Sequence, residues 1–132
     1  MKKINSISFF FLLSIFSFCC KKPCTPNYAG NWKFTTDYST NSNPSHNKEQ
    51  YTGQISVLNK DSIQVYYAPN LNYPIDVDCS TGALNGDIYQ GNHGWGYYTG
   101  NINDSTIHLT MVRFGGFPPY DTSYQVVSGV KL

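Results

Sequence analysis

The stretch from Tyr51 to Tyr67, YTGQISVLNKDSIQVYY, constrains the fold of this chain more than any other. Ile55 and Val57 alternate with Gln54 and Ser56. Ile63, Val65 and Tyr67 alternate with Ser62, Gln64 and Tyr66. Successive Cβ atoms of a strand point to opposite faces of a sheet, so a period of two marks a strand with one buried face. Asn59-Lys60-Asp61 supplies a short polar turn between the two runs. The segment is therefore predicted to be a β-hairpin. Strands of this kind need partners, because an open edge invites pairing with another chain.

The same signature recurs along the chain. Gly94 to Val112 reads as a second hairpin, with Tyr98 and Ile102 on one face of its first strand. Asn103-Asp104-Ser105 makes the turn, and Ile107, Leu109 and Met111 form the apolar face of the return. Pro74 to Cys79 aligns Ile75, Val77 and Cys79. A first strand starts at Trp32, and a last one, Tyr124 to Leu132, is expected to bury Tyr124, Val126, Val130 and Leu132. Ser39 to Gln50 and Gly115 to Asp121 read as loops; the glycines and prolines of the second do not suit a central ladder. No window of the body shows a helical period with caps. The expected class is all-β: an antiparallel up-and-down meander closed into a small barrel, with a two-sheet sandwich as the alternative.

The N-terminus belongs to a different kind of segment. Met1-Lys2-Lys3 is basic, and Phe9 to Phe18 is an apolar run too short for an ordinary membrane-spanning helix. A basic start followed by such a run is the pattern of an export signal. It ends in SFCCKKPC, which puts Cys19, Cys20 and Cys24 close together. This resembles the signal of a bacterial lipoprotein, of the loose form found in Bacteroidota, where the cysteine after the cut is acylated. The resemblance implies lipidation of Cys20, preceded by the small Cys19, with Cys19 as the alternative. It also implies a cell-envelope protein held to a membrane, the outer membrane first, by several acyl chains. The division is then a signal peptide at 1–19, a lipidated tether at 20–29 and a β-barrel domain at 30–132.

In an oxidising compartment the remaining cysteines, Cys24 and Cys79, are expected to pair. Nine basic residues against eight acidic ones form no basic patch, so nucleic acid is not an expected partner. His46, His93 and His108 are scattered, and no zinc spacing occurs. Asp104, Ser105 and His108 are near in sequence, but His108 falls on the face opposite Ile107 and Leu109. Asp76 and Asp78 share a strand face, as solvated charges commonly do. No phosphate loop or dinucleotide fingerprint is present. The chain is read as a non-enzyme with no cofactor and no metal; it sets no oligomeric state. Asp61-Ser62-Ile63 and Asp104-Ser105-Thr106 resemble the glycosylation pattern of exported Bacteroidota proteins.

Two features suggest binding. YAGNWKF carries Gly30-Asn31-Trp32 at the head of the first strand, which resembles the GxW signature of lipocalins. That resemblance implies an eight-stranded barrel with Trp32 plugging the closed end beside Lys131. It further implies a small apolar ligand in the barrel mouth. The second feature is YQGNHGWGYYTG, in which Tyr89, Trp95, Tyr97 and Tyr98 are candidate ligand contacts, for a small molecule or a glycan. The alternative to a carrier is a structural or interaction lipoprotein with a filled core, in which those rings pack internally or meet a protein or glycan.

Overall fold

The computed structural model describes residues 23–68, 71–89, 94–115 and 121–132. After a short helix, α1 (Thr25–Tyr28), come eight strands: β1 (Gly30–Thr40), β2 (Asn47–Asn59), β3 (Ser62–Ala68), β4 (Leu71–Asp78), β5 (Ala83–Tyr89), β6 (Gly94–Ile102), β7 (Thr106–Gly115) and β8 (Thr122–Lys131). Each pairs antiparallel with the next, and β8 returns to β1, so the meander closes into a barrel. Closure gives every strand a neighbour on both sides, though β4 and β5 share only a short ladder. The proposed signal and lipidation residues, Cys19 and Cys20, lie outside the described residues.

The alternation read from the sequence points inward almost everywhere. Ile55, Ile63, Val65, Tyr67, Ile75, Val77, Tyr98, Ile102, Ile107, Leu109 and Met111 are all buried in one core with Trp32 and Phe34. Three segments differ from expectation. Val57 is exposed, and the β2–β3 register shifts between Val57 and Asn59. The loop expected from Ser39 to Gln50 is shorter, spanning only residues 41–46: β1 extends to Thr40 and β2 begins at Asn47. On β8 the buried face is the opposite one, with Gln125 and Val127 buried and Tyr124 and Val130 exposed. The reason lies in β1. Phe34 is in register with Gly129, and a Cβ at Gly129 would stand 2.7 Å from the Phe34 ring and from Ile107. The ring leaves space only for a glycine there, which turns the Tyr124 face outward.

The barrel has one weak seam. Among the described residues β4 and β5 pair only through Val77↔Leu84 and Asp78↔Ala83, whereas β1 and β2 pair from Gly30↔Ile55 to Tyr38↔Asn47. Tyr98 of β6 spans this seam from the inside. Its ring lies beneath Gly86 of β5, where a Cβ would collide with the hydroxyl. That hydroxyl accepts a hydrogen bond from the Asp76 backbone N–H at 2.9 Å. A side chain thus satisfies a strand donor that has no partner on the neighbouring strand.

Candidate functional site

The two ends of the barrel are built differently. At one end α1 folds across the opening, with Tyr28 and Thr25 buried. The Thr25 hydroxyl donates to the Asn59 carbonyl in the β2–β3 turn at 2.8 Å. Trp32 is fully buried beneath the helix, and its indole N–H donates to the Tyr28 carbonyl at 3.0 Å. Lys131 is the register partner of Trp32 on β8, and its ammonium donates to the Asn27 carbonyl at 2.7 Å. A disulfide joins Cys24 to Cys79 in the β4–β5 turn. It fastens the segment before α1 beside the short seam. Trp32, Lys131, Cys24 and Cys79 therefore meet at one closed end.

At the other end the packing of the described residues stops short of the rim. A recess of about 260 Å³ opens there, lined by Thr36, Tyr38, Asn47, Glu49, Tyr51, Ala68, Arg113 and Gln125. Thr36 pairs with Glu49 and Tyr38 with Asn47 across β1 and β2, which sets all four on the inner surface. Arg113 continues the inward series Ile107, Leu109, Met111 on β7. Its Nη2 donates to the Tyr67 hydroxyl at 3.3 Å and to Gln125 Oε1 at 3.2 Å, and meets Met111 Sδ at 3.7 Å. The guanidinium carbon stands 4.9 Å from the centre of the Tyr73 ring, which stacks in turn with Tyr67.

The hydroxyl of Tyr67 donates to Gln125 Oε1 at 3.0 Å. Burial pushes the Tyr67 phenol up, against the lowering effect of the Arg113 charge, so it holds its proton and can serve as donor and acceptor at once. Arg113 Nε is buried and has no hydrogen-bond partner among the described residues. The ion pairs found among those residues join His46 and Lys48 to Asp37 and Lys60 to Asp61, none of them involving Arg113. No family model matches the chain, and neither a curated protein nor a solved structure matches it.

The aromatic candidates separate by face. Trp95 is 61% exposed and Tyr97 41%, whereas Tyr98 is 5% exposed. Tyr98 is therefore a core residue that ties β4 to β6, not a surface contact. The side chain of Tyr89 and all of His93 lie outside the described residues. Trp95 packs on Phe114 of β7 with ring centres 4.4 Å apart, and Tyr97 lies 6.3 Å from the same ring. This patch is on the outside of the barrel. Arg113 and Gln125 are on the inside, so the two features are separate.

The remaining polar motifs have local partners. His108 Nδ1 contacts the Ser128 hydroxyl at 3.1 Å, while Ser105 bonds Asn103 in the β6–β7 turn. Asp76 accepts from the Ser62 hydroxyl, and Asp78 accepts from Ser80 in the β4–β5 turn. Of the two glycosylation-like serines, Ser105 is exposed and Ser62 is half-buried. An open groove of about 460 Å³ follows the seam outside, past Asp61, Asp76 and Asp78. Among the described residues no group of three His, Cys, Asp or Glu side chains is placed to hold a metal.

The sequence reading missed the recess residues Arg113, Gln125, Thr36 and Glu49. The signal for Arg113 was present. Extending the alternation of Ile107, Leu109 and Met111 by one step puts a charged side chain on the inner face, where it needs compensation.

Proposed function

We propose that this chain is an exported, lipid-anchored lipoprotein whose lipocalin-like barrel binds a small molecule in the recess at its open end. The carrying observation is the division of the interior. From Trp32 to Met111 it is filled with buried side chains, and the free space lies above them, between Thr36, Ala68 and Arg113. Its volume corresponds to roughly nine waters at liquid density, which suits a compact ligand rather than a long acyl chain. The rings of Tyr38 and Tyr51 with Ala68 offer it apolar wall.

The tether supports this arrangement. Cys20 precedes Cys24 by four residues, a reach of at most about 14 Å. Acyl chains on Cys20, or on Cys19, would hold the closed end near the membrane. The eight strands would then carry the recess away from the lipid, facing the surrounding space.

Native mass spectrometry of the full chain, taken from membranes in mild detergent, tests the binding reading. The expected result is a stoichiometric small-molecule adduct that leaves on mild denaturation. A clean mass, with no melting shift from any compound in a metabolite library, would defeat it. For the anchor, Cys20→Ala is expected to release the protein from membranes. Continued retention of both Cys20→Ala and Cys19→Ala would defeat that part. One observation favours a second reading. Trp95, resting on Phe114 beside Tyr97, offers an exposed aromatic surface on which a sugar ring or peptide can stack. Loss of glycan or partner binding in Trp95→Ala, with the recess intact, would support the interaction lipoprotein instead.

A further inference from the structure

We infer that the recess takes a ligand bearing a carboxylate, or an equivalent oxyanion, and that Arg113 receives it. The inference rests on the recess being a binding site. Arg113 is a permanent cation placed on the inner face of a barrel. Burying such a charge is costly unless it is paired and hydrogen-bonded. Here the pairing is incomplete. Nη2 is held by two neutral oxygens, those of Tyr67 and Gln125. Nε–H is buried with no acceptor, and none of the described carboxylates forms an ion pair with the group. Tyr73 holds the guanidinium in place through its ring face.

The site is therefore preorganised, and its cation lacks a carboxylate partner among the described residues. A carboxylate entering the recess that Arg113 lines supplies that partner, and charge-assisted bonds of this kind are about twice as strong as neutral ones. The apolar part of the ligand would then rest against Tyr38, Tyr51 and Ala68. Glu49 is the counterweight. It lines the same recess and is exposed. Its charge opposes a second negative group near the rim, so a monoanion is preferred over a dianion.

Benzoate and benzamide have nearly the same shape and differ in charge, so they isolate the claim. Binding of each to the full chain in detergent is followed by NMR, using the backbone amides of Thr36, Ala68 and Gln125. Benzoate is expected to shift these amides saturably and to bind at least about tenfold more tightly than benzamide, the scale of one charged hydrogen bond. Arg113→Gln is expected to remove that preference. Arg113→Lys should restore part of it, because the charge returns without the planar fork. Glu49→Gln, at an exposed position that leaves the core untouched, should tighten benzoate severalfold. Equal binding of the two probes would overturn the inference and leave the recess standing as a binding site. No shift of these amides by benzamide, benzoate, acetate or hexanoate at millimolar concentration would overturn both. Benzoate binding unchanged in a folded Arg113→Gln protein, or unchanged by Glu49→Gln, would also overturn the inference.

Discussion

Tyr98→Phe removes one oxygen atom and keeps the ring, so its effect can be worked from a single contact. The hydroxyl accepts from the Asp76 N–H at the place where β4 and β5 have parted. Without it that donor must find water from the outer groove or go unpaired. A buried unsatisfied donor costs about 1–3 kcal/mol. The Asp76 side chain is exposed and the groove lies beside it, so the low end applies, about 1 kcal/mol. For a domain of this size that corresponds to a fall in Tm of about 4–8 °C. Chemical denaturation should show a lower midpoint with an unchanged slope. Hydrogen exchange at the Asp76 amide should accelerate beyond the global change. Tyr97→Phe, one residue away with its ring on the outside, is the control and should be neutral. Gly86→Ala completes a cycle, because its Cβ would collide with the Tyr98 hydroxyl. Its overpacking cost, about 1–3 kcal/mol, should persist in the Tyr98→Phe background, because ring carbons that Phe keeps stand 2.5 and 2.8 Å from that Cβ. Equal stability of Tyr98→Phe and the parent protein would refute the claim that the hydroxyl closes the seam.

Reduction of the Cys24–Cys79 bond, or Cys79→Ser, should lower stability by about 4 kcal/mol in the chain-entropy account. It should also speed amide exchange through Thr25–Tyr28; an unchanged denaturation midpoint would contradict this. Trp32→Ala removes a fully buried plug and should cost about 3–5 kcal/mol, whereas Trp95→Ala loses only the outer ring contact with Phe114 and should cost about 1 kcal/mol. A midpoint comparison of the two variants checks both. Burial raises the phenols of Tyr67 and Tyr98 in the folded state above the unfolded value of about 10. The folded chain then holds these protons longer than the unfolded one. Stability is intact below that pH and is lost as pH rises toward and through the folded values. An alkaline denaturation series followed at the phenolate absorbance reads this directly; a midpoint flat across that range would be the contrary result.

Much of the architecture was legible in the sequence. Ile55, Ile63, Val65, Ile75, Val77, Ile107 and Leu109 point inward as their alternation requires, and the polar turns at Asn59–Asp61 and Asn103–Ser105 join the strands they separate. β5 was not evident, because Gly86 interrupts the inward series between Leu84 and Ile88. That glycine is explained only by Tyr98, which comes from the next strand. The cysteine pairing was legible from the small number of cysteines and the compartment expected for the chain, but its position at the closed end was not.

The open end was the least legible part. Tyr97 and Tyr98 are adjacent aromatics with equal claims in sequence, yet one is on the surface and the other spans the seam. The last strand carries apolar residues on the face that turns outward, because β1 places Phe34 opposite Gly129. Arg113 gains its neighbours from three other strands, through Tyr67, Tyr73 and Gln125. The sequence by itself determined that this chain makes strands, roughly where they turn, and which cysteines were available to pair. Only the tertiary structure decided which side of β8 faces in and which polar groups meet at the open end. The physical reason is that alternation is a property of one strand, whereas facing depends on register with both neighbours and on the volume of the side chain opposite.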